Sequence, residues 1–277
     1  MKAIYKFCSF SLAFLVLIGC YYVVKVSYLA YDNRYQQTIP GREIYWAIDK
    51  SKKKTHKKKL VLGDSTGNQF FNNQLDDDSI YSLACNQSIG MVGHYILLNN
   101  YLQAGNKPDS VYLVFRPFSF ANNLDDNYTY HYFLKPLYTE EYIPMMTETV
   151  KKQITHIPYF WLCHFPTVQT STWAPKYEHE ERCYSFLSPI SREYIEKMDS
   201  LSKVHNFELF LIPTIVSESL RDKICKIDTT EIYKTNIADK LQVYLSNIEF
   251  LPDTCFWDGT HLTHPLIYKK IIIEKMR

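Results

Sequence analysis

Two short stretches at opposite ends of the chain carry the most specific chemical signal. Gly63-Asp64-Ser65 falls where an apolar run gives way to a helical one, and Asp258-Gly259-Thr260-His261 lies just ahead of the last helical segment. A serine hydroxyl is a poor nucleophile at neutral pH and needs a base, most often an imidazole oriented by a carboxylate. A strand-to-helix turn lifts the hydroxyl clear of a sheet and aims the free N–H groups of the helix start at a developing oxyanion. Within one tight loop, Asp258 can accept from one ring nitrogen of His261 while the other points at Ser65. The chemistry this assembles is acyl transfer through a covalent acyl-serine. His264 is the alternative base, or a third member of a metal set with Asp258 and His261, although no further ligand cluster accompanies them. Asp64 reads as a turn-holding carboxylate. Arg116, at the end of a strand, suits either an anionic substrate or pairing with Asp125 or Asp126. His94 reads as a packing or solvent-facing residue.

These side chains need a scaffold, and the hydrophobic pattern supplies one. Short apolar runs predict strands over 60–62, 80–84, 111–115, 207–212 and 248–251. Helical spacing predicts helices over 66–75, 93–103, 191–204, 230–245 and 265–276, with Ser191 as an N-cap and Pro265 in a first turn. Tyr95, Leu98 and Leu102 share one face of the second helix. Strands alternating with helices imply a parallel sheet covered on both faces. The expected fold is an α/β three-layer sandwich with a flavodoxin-like sheet of five strands. Ser65 and the Asp258–His261 loop each follow a strand, which brings both to one edge of that sheet.

Residues 117–189 interrupt the alternation with an aromatic-rich insertion that includes Tyr128, Tyr130, Tyr132, Trp161, Trp173, Tyr177 and Tyr184. It follows a strand's carboxyl end, where open α/β sheets build their ligand crevice, so it reads as a lid or substrate wall or as aromatic packing. The hydrolase-like domain then covers 57–277, and 28–56 is a polar and basic linker ending in the run Lys52-Lys53-Lys54-Thr55-His56-Lys57-Lys58-Lys59. Ahead of it, residues 1–27 hold an uncharged stretch from Phe7 to Val24, near the lower limit for crossing a bilayer. An uncleaved membrane anchor is expected, with lipid contacting this helix; Leu17-Ile18-Gly19-Cys20 is the rival, a lipobox that would make Cys20 a lipidated terminus. The charges flanking the run do not fix its orientation.

Lys+Arg total 31 against Asp+Glu 29, a net charge of +2 that excludes a general nucleic-acid binder. Hydrophobic residues make up 46% and argue against disorder, and 277 residues allow one or two domains. Five of the 7 cysteines lie outside the apolar run with no zinc-ribbon or C-x-x-C spacing, so buried free thiols are expected, Cys85 above all. Nothing in the chain calls for a cofactor or a metal.

Leu62-Gly63-Asp64-Ser65 and Asp258-Gly259-Thr260-His261-Leu262-Thr263 together resemble the first and last blocks of the SGNH or GDSL-like serine hydrolases. The resemblance spans about 57–277. It implies catalysis by Ser65, Asp258 and His261, with the Ser65 amide and that of Gly93 (or Gly90) forming the oxyanion hole. The third block departs from the family: Phe115-Arg116-Pro117-Phe118 stands where a Gly-x-Asn-Asp loop is usual, and Asn122 and Asn123 come later. Such a loss is typical of the membrane-associated branch similar to alginate O-acetyltransferases and teichoic-acid D-alanyl transfer proteins. By that resemblance the partners are an acyl donor, a cell-surface polysaccharide bound near Arg116 and Asn122, and a membrane-bound acyltransferase. The soluble domain would then lie outside the cytoplasmic membrane. A membrane-bound lipase and a non-catalytic glycan-binding subunit are the alternatives.

Overall fold

A computed structural model describes residues 2–35, 42–75, 78–126, 128–157, 160–163 and 185–276. Four strands, β1 (Lys59–Gly63), β2 (Ile80–Ser82), β3 (Ser110–Phe115) and β4 (Glu208–Pro213), form a parallel sheet in the order β2-β1-β3-β4. Along each strand successive side chains face opposite sides. Leu60, Leu62, Val111, Leu113, Leu209 and Leu211 enter one core, while Val61, Tyr112, Val114 and Ile212 enter a second. Both faces are therefore dry, as uninterrupted apolar strands require. Leu60, Val61 and Leu62 are fully buried, each contributing about 1.5–3 kcal/mol relative to exposure.

The first core is closed by α2 (Arg42–Ser51), α4 (Gly90–Gln103) and α7 (Pro189–His205). The second is closed by α3 (Ser65–Phe70) and α10 (Pro265–Lys275), through Phe70 and Ile272. Three layers result. Shorter helices follow at α5 (Lys135–Leu137), α6 (Glu148–Ile154), α8 (Arg221–Cys225) and α9 (Ala238–Ser246), and α9 packs on β4. At the amino end, α1 (Lys2–Tyr35) contains Ile4–Lys25, a stretch of mean hydropathy 2.2 with none of it buried, long and apolar enough to cross a membrane.

Several expectations change. The fifth strand does not join the sheet: Phe250–Leu251 (β6) pairs in parallel with Val216–Ser217 (β5) as a separate two-stranded ladder. Pro213 ends β4, and the chain leaves the main ladder there before resuming two residues of pairing. The helix expected over 230–245 is split into a 3₁₀ turn at Thr230–Lys234 and α9. Ser191 is not a cap: Ser188 accepts the Ser191 amide at 3.0 Å and Pro189 occupies the first turn. Within the span read as a linker, α2 buries Ile44, Ala47 and Ile48 and packs on α4. The described part of the insertion joins the first core through Tyr130, Phe133, Leu137, Tyr142 and Val150 instead of standing off it as a lid. Trp173, Tyr177 and Tyr184 lie outside the described residues. Cys85 is a buried free thiol, and burial pushes its pKa well up.

The register sets the stage for chemistry. Val61 pairs with Ser82 and Gly63 with Val114. Cys85 N still donates to Gly63 O at 2.8 Å, so β1 runs between the ends of β2 and β3 up to the turn that leads to Ser65. The chain turns to opposite sides after β1 and β3, which is the switch point where open α/β sheets hold ligands.

Candidate active site

Asp64 builds the turn that presents Ser65. It is fully buried and caps α3: its Oδ1 accepts from Thr66 N at 2.8 Å, Gly67 N at 3.0 Å and Thr66 Oγ1 at 2.6 Å. Its Oδ2 accepts from Arg116 N at 2.9 Å and Ser119 Oγ at 2.5 Å. Five donors offset the cost of burying a carboxylate and weld the β1 turn to the end of β3. α3 must lie close to the sheet for this, and a Cβ at Gly67, within α3, would run into the Val114 carbonyl oxygen of β3. The carboxylate leaves the Ser65 amide out of its set.

The loop carrying the other two groups is a tight hairpin. Phe256 and Leu262 form an antiparallel bridge, Trp257 N donates to His261 O at 3.0 Å, and Gly259 turns the chain with φ +74°. Asp258 Oδ1 accepts the amides of Thr260 at 2.9 Å and His261 at 2.6 Å. Its Oδ2 lies 2.6 Å from His261 Nδ1, and His261 Nε2 lies 2.9 Å from Ser65 Oγ. Partial burial alone would raise the Asp258 pKa; bonds from the His261 ring and the two amides outweigh it and hold the carboxyl below its usual range. An ionised Asp258 places the ring proton on Nδ1, which leaves Nε2 to accept from the serine hydroxyl. Ser65, His261 and Asp258, far apart in sequence, are thus linked in one hydrogen-bonded chain. The Trp257 ring stacks on the imidazole, with centroids 5.4 Å apart and planes at 23°.

Two contacts lock the halves together, and the sequence reading missed both. Gln69 Nε2 donates to Leu262 O and its Oε1 accepts from Leu262 N, each at 3.1 Å. Gln69 is one helical turn after Ser65, so their shared face of α3 was the available signal. Arg116 Nη1 donates to Thr260 Oγ1 at 2.9 Å.

The remaining expected residues sort differently. Arg116 is held among the carboxylates of Asp64, Asp126 and Asp258; burial lowers its pKa and those charges oppose the shift. Asp126 accepts from Gln87 Nε2 at 3.0 Å and Ser88 Oγ at 2.9 Å. Asn122 is buried and braces its own loop: Nδ2 donates to Gln87 O and Oδ1 accepts from Leu124 N, both at 2.7 Å. Asn122 also lines the cavity that opens beside Asp258. Gly90 N–H is taken by Gln87 O. Gly93 falls four residues after Ile89, the N-cap of α4, so its amide opens the helix's own ladder. A Cβ on Gly93 would meet that of Ile89 at 2.6 Å, which accounts for the glycine by packing. His264 is exposed at the start of α10 and joins none of the bonds above. His94 is fully buried against Phe115. Among the described residues no group of three His, Cys, Asp or Glu is placed to hold a metal ion.

Beside Asp258 and Thr260 opens a cavity of about 610 Å³, walled by Arg116, Phe118, Asn123, Asp125, Ser219 and Lys223 among others. Its wall is mixed, with Phe118, Ala121 and Leu220 beside the charged and amide side chains. Searches of protein-family models, curated proteins and solved structures find no match to this chain.

Proposed function

We propose that the protein transfers or hydrolyses ester-linked acyl groups on a cell-surface polysaccharide through an acyl-serine at Ser65. The supporting observation is the relay of 2.9 Å from Ser65 Oγ to His261 Nε2 and 2.6 Å from His261 Nδ1 to Asp258 Oδ2. In the reaction Ser65 Oγ attacks the ester carbonyl while His261 Nε2 takes its proton. The Ser65 amide faces the oxyanion. Collapse breaks the bond to the leaving alcohol, which receives the proton from His261. A sugar hydroxyl or water, deprotonated by His261, then attacks the acyl-serine and returns the enzyme. The cavity beside Asp258, with Arg116, Asn122, Asn123 and Asp125 in its wall as hydrogen-bonding groups, supports a glycan as acceptor or donor. The apolar helix α1 supports a membrane anchor, and a polysaccharide substrate places the domain on the outer side, near a membrane-bound acyltransferase that supplies the acyl group. In this reading the β5–β6 ladder stands where a flavodoxin-like sheet has its fifth strand.

Fluorophosphonate labelling tests the chemistry. Wild type should be labelled at Ser65 and should hydrolyse a short activated ester. Ser65→Ala and His261→Ala should each lose about 10³-fold or more in rate, as when one member of a cooperating unit is removed. Absence of both labelling and turnover in wild type would leave a binding protein, and inactivation by His264→Ala instead of His261→Ala would reassign the base.

A further inference from the structure

The catalytic hairpin and the helix after it leave apolar side chains uncovered at the rim of the site. Trp257, Leu266 and Ile267 are 68%, 72% and 71% exposed. Trp257 stands across the hairpin from His261, its amide donating to the His261 carbonyl and its ring stacked on the imidazole. Leu266 and Ile267 lie in the first turn of α10, while Ile272 of the same helix enters the core. Tyr268 Oη donates to Cys255 Sγ at 3.5 Å and Thr263 N to Cys255 O at 2.9 Å, so the start of α10 is held against the base of the hairpin. The other exposed large apolar residues described in the domain, Leu75, Tyr128, Trp161, Val204, Tyr233 and Val243, are scattered singly along the chain.

The chain itself brings a partner for this rim. α1 is long and apolar enough to cross a bilayer, which keeps a lipid surface within reach. An indole settles at the headgroup level, and Leu and Ile side chains reach below it. Charge agrees with that partner: from Thr254 to Lys270 the sole carboxylate is Asp258, committed to the relay, while Lys269 and Lys270 follow the apolar turn. Anionic headgroups match such a balance. The run of lysines is the rival face, at the other end of the sheet, since Lys59 opens β1 and Ser65 follows its close. There Glu141 holds Lys52 at 2.7 Å and Asp109 faces Lys58 at 3.6 Å, and residues 52–59 include no large apolar side chain to enter lipid.

We propose that the rim formed by Trp257, Leu266 and Ile267 docks on an anionic bilayer surface and turns the Ser65 side of the domain toward the headgroups. This rests on the reading of α1 as a membrane anchor and not on the acyl-serine chemistry. Docked this way, the site receives acyl groups carried at the membrane surface.

The test uses full chains in vesicles of phosphatidylglycerol and phosphatidylcholine. Benzoylphenylalanine replaces Leu266, Val204 or Lys54 in turn, and mass spectrometry reads what each position captures on illumination. Leu266→benzoylphenylalanine should give lipid adducts, and the other two positions none above background. Brominated lipid should quench the emission of wild type more than that of Trp257→Phe. Leu266→Asp combined with Ile267→Asp should abolish that excess quenching with Tm unchanged, because both side chains are exposed. Lipid adducts at position 54 or 204 in place of 266, an adduct at 266 to a second copy of the chain, or equal quenching in wild type and Trp257→Phe overturns the proposal while the chain still floats with the vesicles. A full chain that does not float with them overturns the anchor reading and the proposal together.

Discussion

Gln69 and Leu262 exchange two hydrogen bonds of 3.1 Å each, side-chain amide to backbone, in the manner of paired strands. Because Gln69 shares α3 with Ser65 and Leu262 follows His261, this pairing sets the distance across which the proton moves. Gln69→Leu removes both bonds, for about 1–3 kcal/mol, and a loosened base costs rate steeply. The variant should remain folded and lose about 10–100-fold in kcat. Gln69→Glu should fail as well, since Leu262 O needs a donor that a carboxylate lacks. Steady-state kinetics with urea unfolding of both variants would show it; wild-type kcat in either would mean that the loop is held by its own hairpin.

Arg116 ties the same loop from the other side through Thr260, and it is the cation among Asp64, Asp126 and Asp258. Arg116→Met leaves those carboxylates without it. Stability should fall by about 1.5–3 kcal/mol, the range for losing a hydrogen bond made by a charged group. Arg116→Lys should recover part of the stability and little of the rate, since one ammonium cannot span the positions the planar guanidinium covers. Equal kcat in Arg116→Lys and wild type would reduce Arg116 to charge balance.

The parts of the site legible in the sequence are those that backbone rules dictate. β1 reads as a strand because Leu60 to Leu62 are apolar without interruption and a Gly-Asp-Ser turn follows, and the spacing of Asp258 and His261 in one loop is enough to foresee their contact. Gln69 and Thr260 are not legible because their roles depend on tertiary contacts between elements far apart in the chain. α2 was missed since its surroundings are charged and aromatic, and only Ile44, Ala47, Ile48 and Ser51 are buried. The fifth strand was overcalled because four residues with a helix before them and a proline after them look like the others, while the break at Pro213 that removes its partner belongs to another strand. The bracing bonds of Asn122 are not legible because they come from the 122–124 turn, with Leu124 at φ +58°, and from contact with Gln87.

Asp258→Asn separates orientation from fold. Two backbone amides already point at Oδ1, at 2.9 and 2.6 Å, so the carbonyl end of an asparagine will settle there. Its NH2 then faces His261 Nδ1, which must become the acceptor, and the ring proton moves to Nε2. That tautomer cannot take the Ser65 proton. We expect kcat to fall about 10³–10⁴-fold, slower fluorophosphonate labelling in proportion, and a Tm close to wild type because the loop keeps its amide bonds. In wild type the bonds from the His261 ring and the two amides hold the Asp258 carboxyl below the usual carboxylate range, so the ionised acceptor stays behind the ring. A labelling rate in Asp258→Asn equal to wild type would show that the imidazole needs no carboxylate behind it.

His94 makes the protein sensitive to acid independently of the site. The ring is fully buried, meets Phe115 edge-on at 4.7 Å, and both of its nitrogens lack a hydrogen-bond partner among the described residues. Burial lowers its pKa from 6.5 to about 3, so the folded protein holds it neutral. Above about pH 6.5 both folded and unfolded chains carry the neutral ring and it contributes nothing to the pH dependence. As pH falls below that value the unfolded chain binds a proton that the folded chain refuses, so stability declines down to about pH 3, by up to about 4 kcal/mol in all. His94→Phe keeps an aromatic edge against Phe115 and removes two unsatisfied polar atoms, so it should match or exceed wild type at neutral pH. Its advantage should then widen steadily as urea midpoints are followed from neutral pH toward acid. Parallel midpoints for the two proteins over that range would mean that the ring is solvated or bonded when the protein is folded.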